Sequence, residues 1–300
     1  MNNYGDKIIS IFGFKFKLKN IILTTIMVCA AALILVLLDM FLMDISWYGV
    51  IIGIAFLVAI LCAVQLCGCR ALPDDFPYDL ILWIFPLSII CARAYYVICS
   101  PGEFANFGEM IAVWNGGIAI YGGIIGGIIG IVICCLIKER NIIATLDVAA
   151  PCLIIAQAIG RWGNFVNQEV YGMEVTNTAM QWFPFAVHIT ENGQNSWHLA
   201  TFFYESILNT IGFFVLVTIL RKSNIRGIVT SSYLVFYGAV RYLLEGLRES
   251  EYILNIPGTS LAVSKVVSMA IIVVGLVWLT CLLISNRKQH IEKTETSKND

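Results

Sequence analysis

GGIAIYGGIIGGIIGIVICCLI, residues 116–137, decides which solvent this chain folds in. The run contains no charged side chain, and Tyr121 supplies its one hydroxyl. About 20 mostly apolar residues cross the hydrocarbon core of a bilayer as a helix. In lipid, a helix satisfies every backbone polar group within one segment, so the run predicts a membrane-spanning helix. Gly122, Gly126 and Gly130 recur every fourth residue, a stripe of small residues that lets a second helix approach closely.

Working outward, similar runs lie near 21–43, 48–69, 78–99, 142–161, 202–220, 228–248 and 261–284, which makes eight candidate spans. Of the 300 residues 59% are hydrophobic and only 13% are charged. A soluble domain carries about 25% charged residues, so this chain lacks the polar surface to cover a water-facing globule. The reading is an all-α polytopic integral membrane protein of about eight transmembrane helices. The net charge of −1 and the lack of basic clusters interleaved with aromatics exclude a nucleic-acid partner. Seven of the ten cysteines sit inside apolar runs, and Cys67-Gly68-Cys69 is too short for a CxxC site. They are expected to pack as small apolar residues, with no metal bound.

Lysine and arginine set the orientation. Lys7, Lys15, Lys17 and Lys19 precede the first run, which is long and lacks a small-residue cleavage site, so it reads as an uncleaved signal anchor. With that start inside, Arg70, Lys138, Arg140, Arg221, Lys222, Arg226, Arg287 and Lys288 all fall inside. The opposite segments 100–115 and 165–200 hold Glu103, Glu109, Glu169, Glu174 and Glu191 but no Lys or Arg. Three regions result: an N-terminal segment with an extra helix (1–45), a membrane domain (46–284) with a small folded extracytoplasmic cap (165–200), and a charged tail (285–300) expected to be disordered.

Arg93, Arg161, Glu205, Arg241, Glu245 and Arg248 lie within or at the ends of spans. A charge at the bilayer centre costs on the order of 2.5–3.5 kcal/mol on insertion scales, so such groups face a partner or a polar site. In this orientation all six sit toward the outer side. Arg241, Glu245 and Arg248 share one helix face, and Arg161 and Asn164 are three residues apart. Four arginines, set against Glu169, Glu205 and Glu245, leave one positive charge over. A phosphodiester carries one negative charge and suits planar guanidinium donors. Interhelical ion pairs holding the bundle together are the competing reading of the same residues.

The run Gly160-Arg161-Trp162-Gly163-Asn164-Phe165-Val166-Asn167-Gln168-Glu169-Val170-Tyr171-Gly172 closely resembles the GRxGNFxNxExxG signature of the prolipoprotein diacylglyceryl transferase family. Further pieces follow in the family's order: Ser46-Trp47-Tyr48-Gly49, Arg93-Ala94-Tyr95-Tyr96-Val97, Trp114-Asn115-Gly116-Gly117, Tyr121-Gly122-Gly123, Thr201 to Ser206, and Arg241 to Arg248. The resemblance covers roughly residues 46–284. It implies a multi-pass enzyme of the bacterial plasma membrane that needs no cofactor. Such an enzyme moves the diacylglyceryl group of phosphatidylglycerol onto the lipobox cysteine of a prolipoprotein, forming a thioether and releasing glycerol phosphate.

By the same resemblance Arg161 and Arg241 hold the phosphate and stabilise its developing charge. Tyr121 and Glu169 are the candidates for taking the thiol proton. Asn164, Asn167, Gly172, Glu245, Arg248, Tyr48, Arg93 and Glu205 line the lipid site. The chain departs from the family in three places. Tyr121 stands where many members carry His, the common His-Pro-Thr is missing around Leu199-Ala200-Thr201, and residues 1–45 add a span to the usual seven. A transporter or channel for an anionic solute is the alternative that would use the same arginines.

Overall fold

A computed structural model of the chain describes residues 8–11, 14–17, 47–102, 104, 106–113, 116–191, 194–253 and 261–299. The expected first span at 21–43, with Glu103, Trp114 and Asn115, lies outside these residues. The long helices are α1 (Trp47–Leu66), α2 (Phe76–Cys99), α4 (Ile120–Ile137), α5 (Ile142–Val166), α6 (Thr201–Lys222), α7 (Ile228–Glu245) and α8 (Val263–Asn299). A short α3 (Phe107–Ile111) lies between α2 and α4. Among the described residues six helices are long and apolar enough to cross a membrane, α7 not being one of them. The Ser, Thr, Tyr, Arg and Glu side chains of α7 make it less apolar than the rest.

Burial is inverted relative to a soluble protein. Asp147, Asn209, Ser231 and Glu245 are fully buried or nearly so, whereas Ile90, Ile98, Leu136, Phe214 and Val277 face outward. Large contiguous apolar surfaces of this kind need lipid to cover them.

The chain forms two compact units. In the first, residues 66–146, α2 packs along α4 through the predicted glycine stripe. A Cβ on Gly122 would strike the backbone of Cys91 and Ala92, and one on Gly126 that of Leu87 and Ser88. A Cβ on Gly130 would lie 2.8 Å from Ile84 Cα. At the end of α4, Lys138 meets Asp79 at 2.7 Å, and the Asp79 carboxylate holds the ammonium above its ordinary pKa.

The second unit holds the remaining elements. Gly163 of α5 seats the Tyr48 ring of α1, where a Cβ would come within 2.7 Å of Cδ2. Gly212 of α6 sits between Phe236 of α7 and Ile154 of α5, and Gly238 of α7 faces Ile272 of α8. Asp147 of α5 caps α7 from a neighbouring helix. Its Oδ2 accepts from Gly227 N at 2.8 Å, and its Oδ1 accepts from Thr230 N at 3.0 Å and Thr230 Oγ1 at 2.8 Å. A carboxylate there satisfies the free N–H groups of the first turn and complements the helix dipole.

Two antiparallel hairpins correct the all-α expectation to a mostly helical fold. They are β1 (Ile8–Ile11) with β2 (Phe14–Lys17), and β3 (Ala186–Glu191) with β4 (Gln194–Leu199). In β3, Val187 and Ile189 join Tyr171, Ala200 and Phe202 in a small core, while His188 and Thr190 face out. β-Branched residues suit such a half-buried strand. The segment expected to form a small cap therefore contains a β-hairpin with its own core. The tail expected to be disordered continues α8 to Asn299, and its Lys, Glu and Gln residues are good helix formers.

Candidate active site

The end of α5 sets the site's geometry. Arg161 Nη2 lies 2.7 Å from Glu205 Oε1 on α6, and its Nη1 donates to Asn164 Oδ1 at 3.2 Å. Asn164 Nδ2 donates onward to Glu169 Oε1 at 3.0 Å, and Asn167 Nδ2 reaches the same oxygen at 3.5 Å. Beyond Val166 the chain turns sharply, with Gln168 at φ 51° and Val170 at φ 53°. A left-handed conformation costs a non-glycine residue on the order of 1–2 kcal/mol and is rare for a β-branched one. The two strained residues flank Glu169 and fold its carboxylate back toward α5, so a relay of hydrogen bonds runs Arg161–Asn164–Glu169.

On α7, Arg241 Nη2 lies 3.0 Å from Glu245 Oε2, and Arg248 Nε lies 3.5 Å from the same oxygen. Ser264 Oγ of α8 donates to Glu245 Oε1. These contacts are ion pairs, for Glu245 Oε2 accepts no hydrogen bond among the described residues. Arg241 Nη1 is buried without a hydrogen-bond partner among the described residues. The two arginine groups form one cluster: Arg161, Arg241, Glu205 and Glu245 all lie close enough to Arg248 to act on it electrostatically. Tyr237, one turn before Arg241, feels Arg241, Glu205, Arg161 and Arg248.

Three guanidiniums thus pair directly with two carboxylates, the third carboxylate, Glu169, joins at one remove through Asn164, and Arg93 belongs to the other unit.

Gly172 bridges to Arg248 in antiparallel fashion, its N–H donating to Leu199 O at 3.1 Å. A Cβ at Gly172 would come within 2.6 Å of Leu199 Cβ and 2.8 Å of Leu247 O, so only glycine lets these strands close. Gly172 therefore holds the backbone that carries Arg248, and Tyr48 supports α5 two residues from Arg161 through Gly163.

In the unit of residues 66–146, Arg93 is 7% exposed and is spent on the loop that follows α2. It donates to Met110 O (2.9 Å), Glu109 O (2.7 Å), Gly116 O (2.6 Å) and Gly117 O (2.7 Å), and stacks near Tyr96 and Phe104. Its geometry is that of a loop clamp. Tyr121 is half-exposed on the first turn of α4, its ring 6.3 Å from that of Tyr95.

A family model described as prolipoprotein diacylglyceryl transferase matches residues 35–281. The chain belongs to the prolipoprotein diacylglyceryl transferase family. Proteins named phosphatidylglycerol–prolipoprotein diacylglyceryl transferase are among its relatives. One from Listeria innocua is 39% identical over 78% of this chain and 84% of its own length. One from Lysinibacillus sphaericus is 40% identical over 77% and 86%, and one from Streptococcus agalactiae 39% identical over 83% and 94%. The family match begins at residue 35, inside the first apolar run rather than after it.

Sequence reasoning missed three features of this transferase. His198 is buried, with Nδ1 2.9 Å from Gly172 O and Nε2 2.8 Å from Ser196 Oγ, and so supports the Gly172 backbone. Alternation through Val187 and Ile189, followed by Asn192-Gly193, was the available signal for the hairpin that carries it. Ser264, at the start of α8, had no signal, because its contact with Glu245 exists only after α7 and α8 pack. Asn209 lies one turn beyond Glu205, and its polar side chain in an apolar helix was the clue.

Proposed function

We propose that the chain carries out the first step of bacterial lipoprotein maturation at the outer face of the plasma membrane. The diacylglyceryl group of phosphatidylglycerol passes to the lipobox cysteine thiol of a prolipoprotein. The carrying observation is the cluster of Arg161, Arg241 and Arg248 around Glu205 and Glu245, in which Arg241 Nη1 is buried without a hydrogen-bond partner among the described residues. A phosphodiester oxygen would give Nη1 an acceptor and spread its negative charge over the guanidiniums.

In this reading the cysteine sulfur attacks the glycerol carbon that bears the phosphate. A C–S bond forms as the C–O bond breaks, and the electron pair stays on the departing phosphate. Negative charge grows on those oxygens, and Arg161 and Arg241 stabilise it. The thiolate is the nucleophile, so the thiol proton must first leave. Glu169, tied to Arg161 through Asn164, is the acceptor the geometry favours, and Tyr121 is the second candidate. Both the seven family spans plus an extra N-terminal helix and the extracytoplasmic placement of the β3–β4 hairpin rest on the lysine and arginine pattern of the loops.

The test incubates purified chain with phosphatidylglycerol and a lipobox peptide and reads the peptide by mass spectrometry. The peptide should gain one diacylglyceryl unit, and Arg161→Ala should abolish the gain. Anion flux in vesicles without any covalent product would instead mark a transporter.

A further inference from the structure

β4 has a neighbour on each side, and β3 has one only. Leu199 N donates to Met173 O and Gly172 N to Leu199 O, both at 3.1 Å, and Val175 N donates to Trp197 O at 2.7 Å. Residues 172–175 therefore run along β4 on the side away from β3, which leaves β3 at the edge.

In an antiparallel pair, residues that bond across the pair alternate with residues whose N–H and C=O point away. Ala200 N donates to Phe185 O at 3.2 Å, which puts Phe185, Val187 and Ile189 in the bonding set. Ala186, His188 and Thr190 accordingly turn their backbone groups to the free edge. Both ends of that edge are plugged. Ala186 N donates to Trp182 O at 2.9 Å, and Thr190 N donates to Gln168 Oε1 at 3.0 Å. Between them His188 is exposed, and its N–H and C=O have no hydrogen-bond partner among the described residues. Proteins blunt a free edge with Lys, Pro or a bulge. Residues 186–190, Ala-Val-His-Ile-Thr, carry neither Lys nor Pro, and their register is unbroken.

The edge leads to the site. Gln168, at φ 51°, sets its side-chain carbonyl where the carbonyl of an added strand would lie. The next residue is Glu169, whose carboxylate reaches Arg161 through Asn164.

We propose that the His188 edge of β3 docks the acceptor, receiving the segment that follows the lipobox cysteine as an added strand. This rests on the transferase reading above. A peptide in extended form presents the paired N–H and C=O that His188 leaves open, and such main-chain bonds give affinity without reading side chains. The apolar segment before the cysteine stays in the bilayer, so the part that reaches an extracytoplasmic hairpin is the part after it. With the cysteine beside Glu169 and a rise of about 3.3 Å per residue, the residue facing His188 lies about three or four beyond the cysteine.

The test measures transfer from phosphatidylglycerol by the full chain in mixed micelles, to a lipobox peptide extended past its cysteine. Single N-methyl groups are placed on successive residues after the cysteine, each removing one peptide N–H. KM for the peptide should rise about three- to tenfold at alternate positions, the period of a strand, with the loss in KM and not in kcat. On the enzyme side, an edge strand tolerates Pro where the missing N–H faced solvent. Compared with His188→Ala, which loses the same ring but keeps the N–H, His188→Pro should raise KM by about three- to tenfold. Equal KM for these two variants overturns the proposal, as does a methylation profile without alternation. Should His188→Pro not fold, the methylated peptides decide with the parent enzyme. An edge that pairs with a second copy of the chain would instead lose a dimer in size-exclusion chromatography with His188→Pro at unchanged KM, which also overturns docking. A parent that transfers nothing to the unmethylated peptide sinks the transferase reading, and the docking with it.

Discussion

Glu245 is the residue whose loss the arginine cluster should feel most. It is 1% exposed, and its Oε2 lies 3.0 Å from Arg241 and 3.5 Å from Arg248. At an effective dielectric constant near 20, a unit pair 3.0 Å apart attracts by about 5–6 kcal/mol before desolvation is counted. Desolvation offsets much of that, so the intact pair adds little net stability, but removing one partner strands the other and costs about 3–5 kcal/mol. At about 2–4 °C per kcal/mol for a large domain, Glu245→Ala should lower the thermal midpoint by roughly 6–20 °C. Glu245→Gln is the sharper probe, since it keeps the volume and the Ser264 contact and removes only the charge. It should lose a comparable amount, and inorganic phosphate should restore part of the loss by supplying the missing negative charge. The assay is intrinsic fluorescence on heating in detergent, with and without phosphate. A Glu245→Gln midpoint within about 1 °C of the parent would refute charge compensation as the organising force of the cluster.

Other substitutions separate the remaining roles. Arg161→Lys keeps the charge but loses the fork shared between Glu205 and Asn164, and should lower kcat by about 10²–10³ in the peptide assay. Gly126→Val drives a branched side chain into the Leu87–Ser88 backbone and should lower the thermal midpoint or block accumulation of folded protein, whereas Gly49→Ala, where a Cβ meets nothing, should do neither. Glu169→Gln should depress kcat, whereas Tyr121→Phe should keep full transfer, and the opposite pattern would reassign the proton acceptor.

The spans and the site were readable in the sequence to different depths. Each described long helix contains one of the apolar runs, because lipid requires both the length and the composition, although α8 continues past its run to Asn299. Gly122, Gly126 and Gly130 announced the α2–α4 contact, since a four-residue spacing puts small residues on one face. Arg241, Glu245 and Arg248 were visible as one face for the same reason, and they do pair. The pairing of Arg161 with Glu205 on another helix was not visible, for it depends on where α6 lies. The carbonyls that engage Arg93 were not visible, because they belong to backbone, which has no side-chain signature. The β3–β4 hairpin went unread because attention to apolar runs hides strands too short to span anything.

Asp147 fixes more than the start of α7. By gripping Gly227 and Thr230 it nails one end of a rigid rod whose far end carries Arg241. Lengthening that rod by a single residue between Thr230 and Arg241 would swing the guanidinium by about 100° and carry it about 1.5 Å along the axis. Length changes before Gly227 would leave the rod untouched. Indels should therefore be tolerated in the turn at residues 223–226 and lethal to the site within the rod, although both places are remote from the reacting atoms.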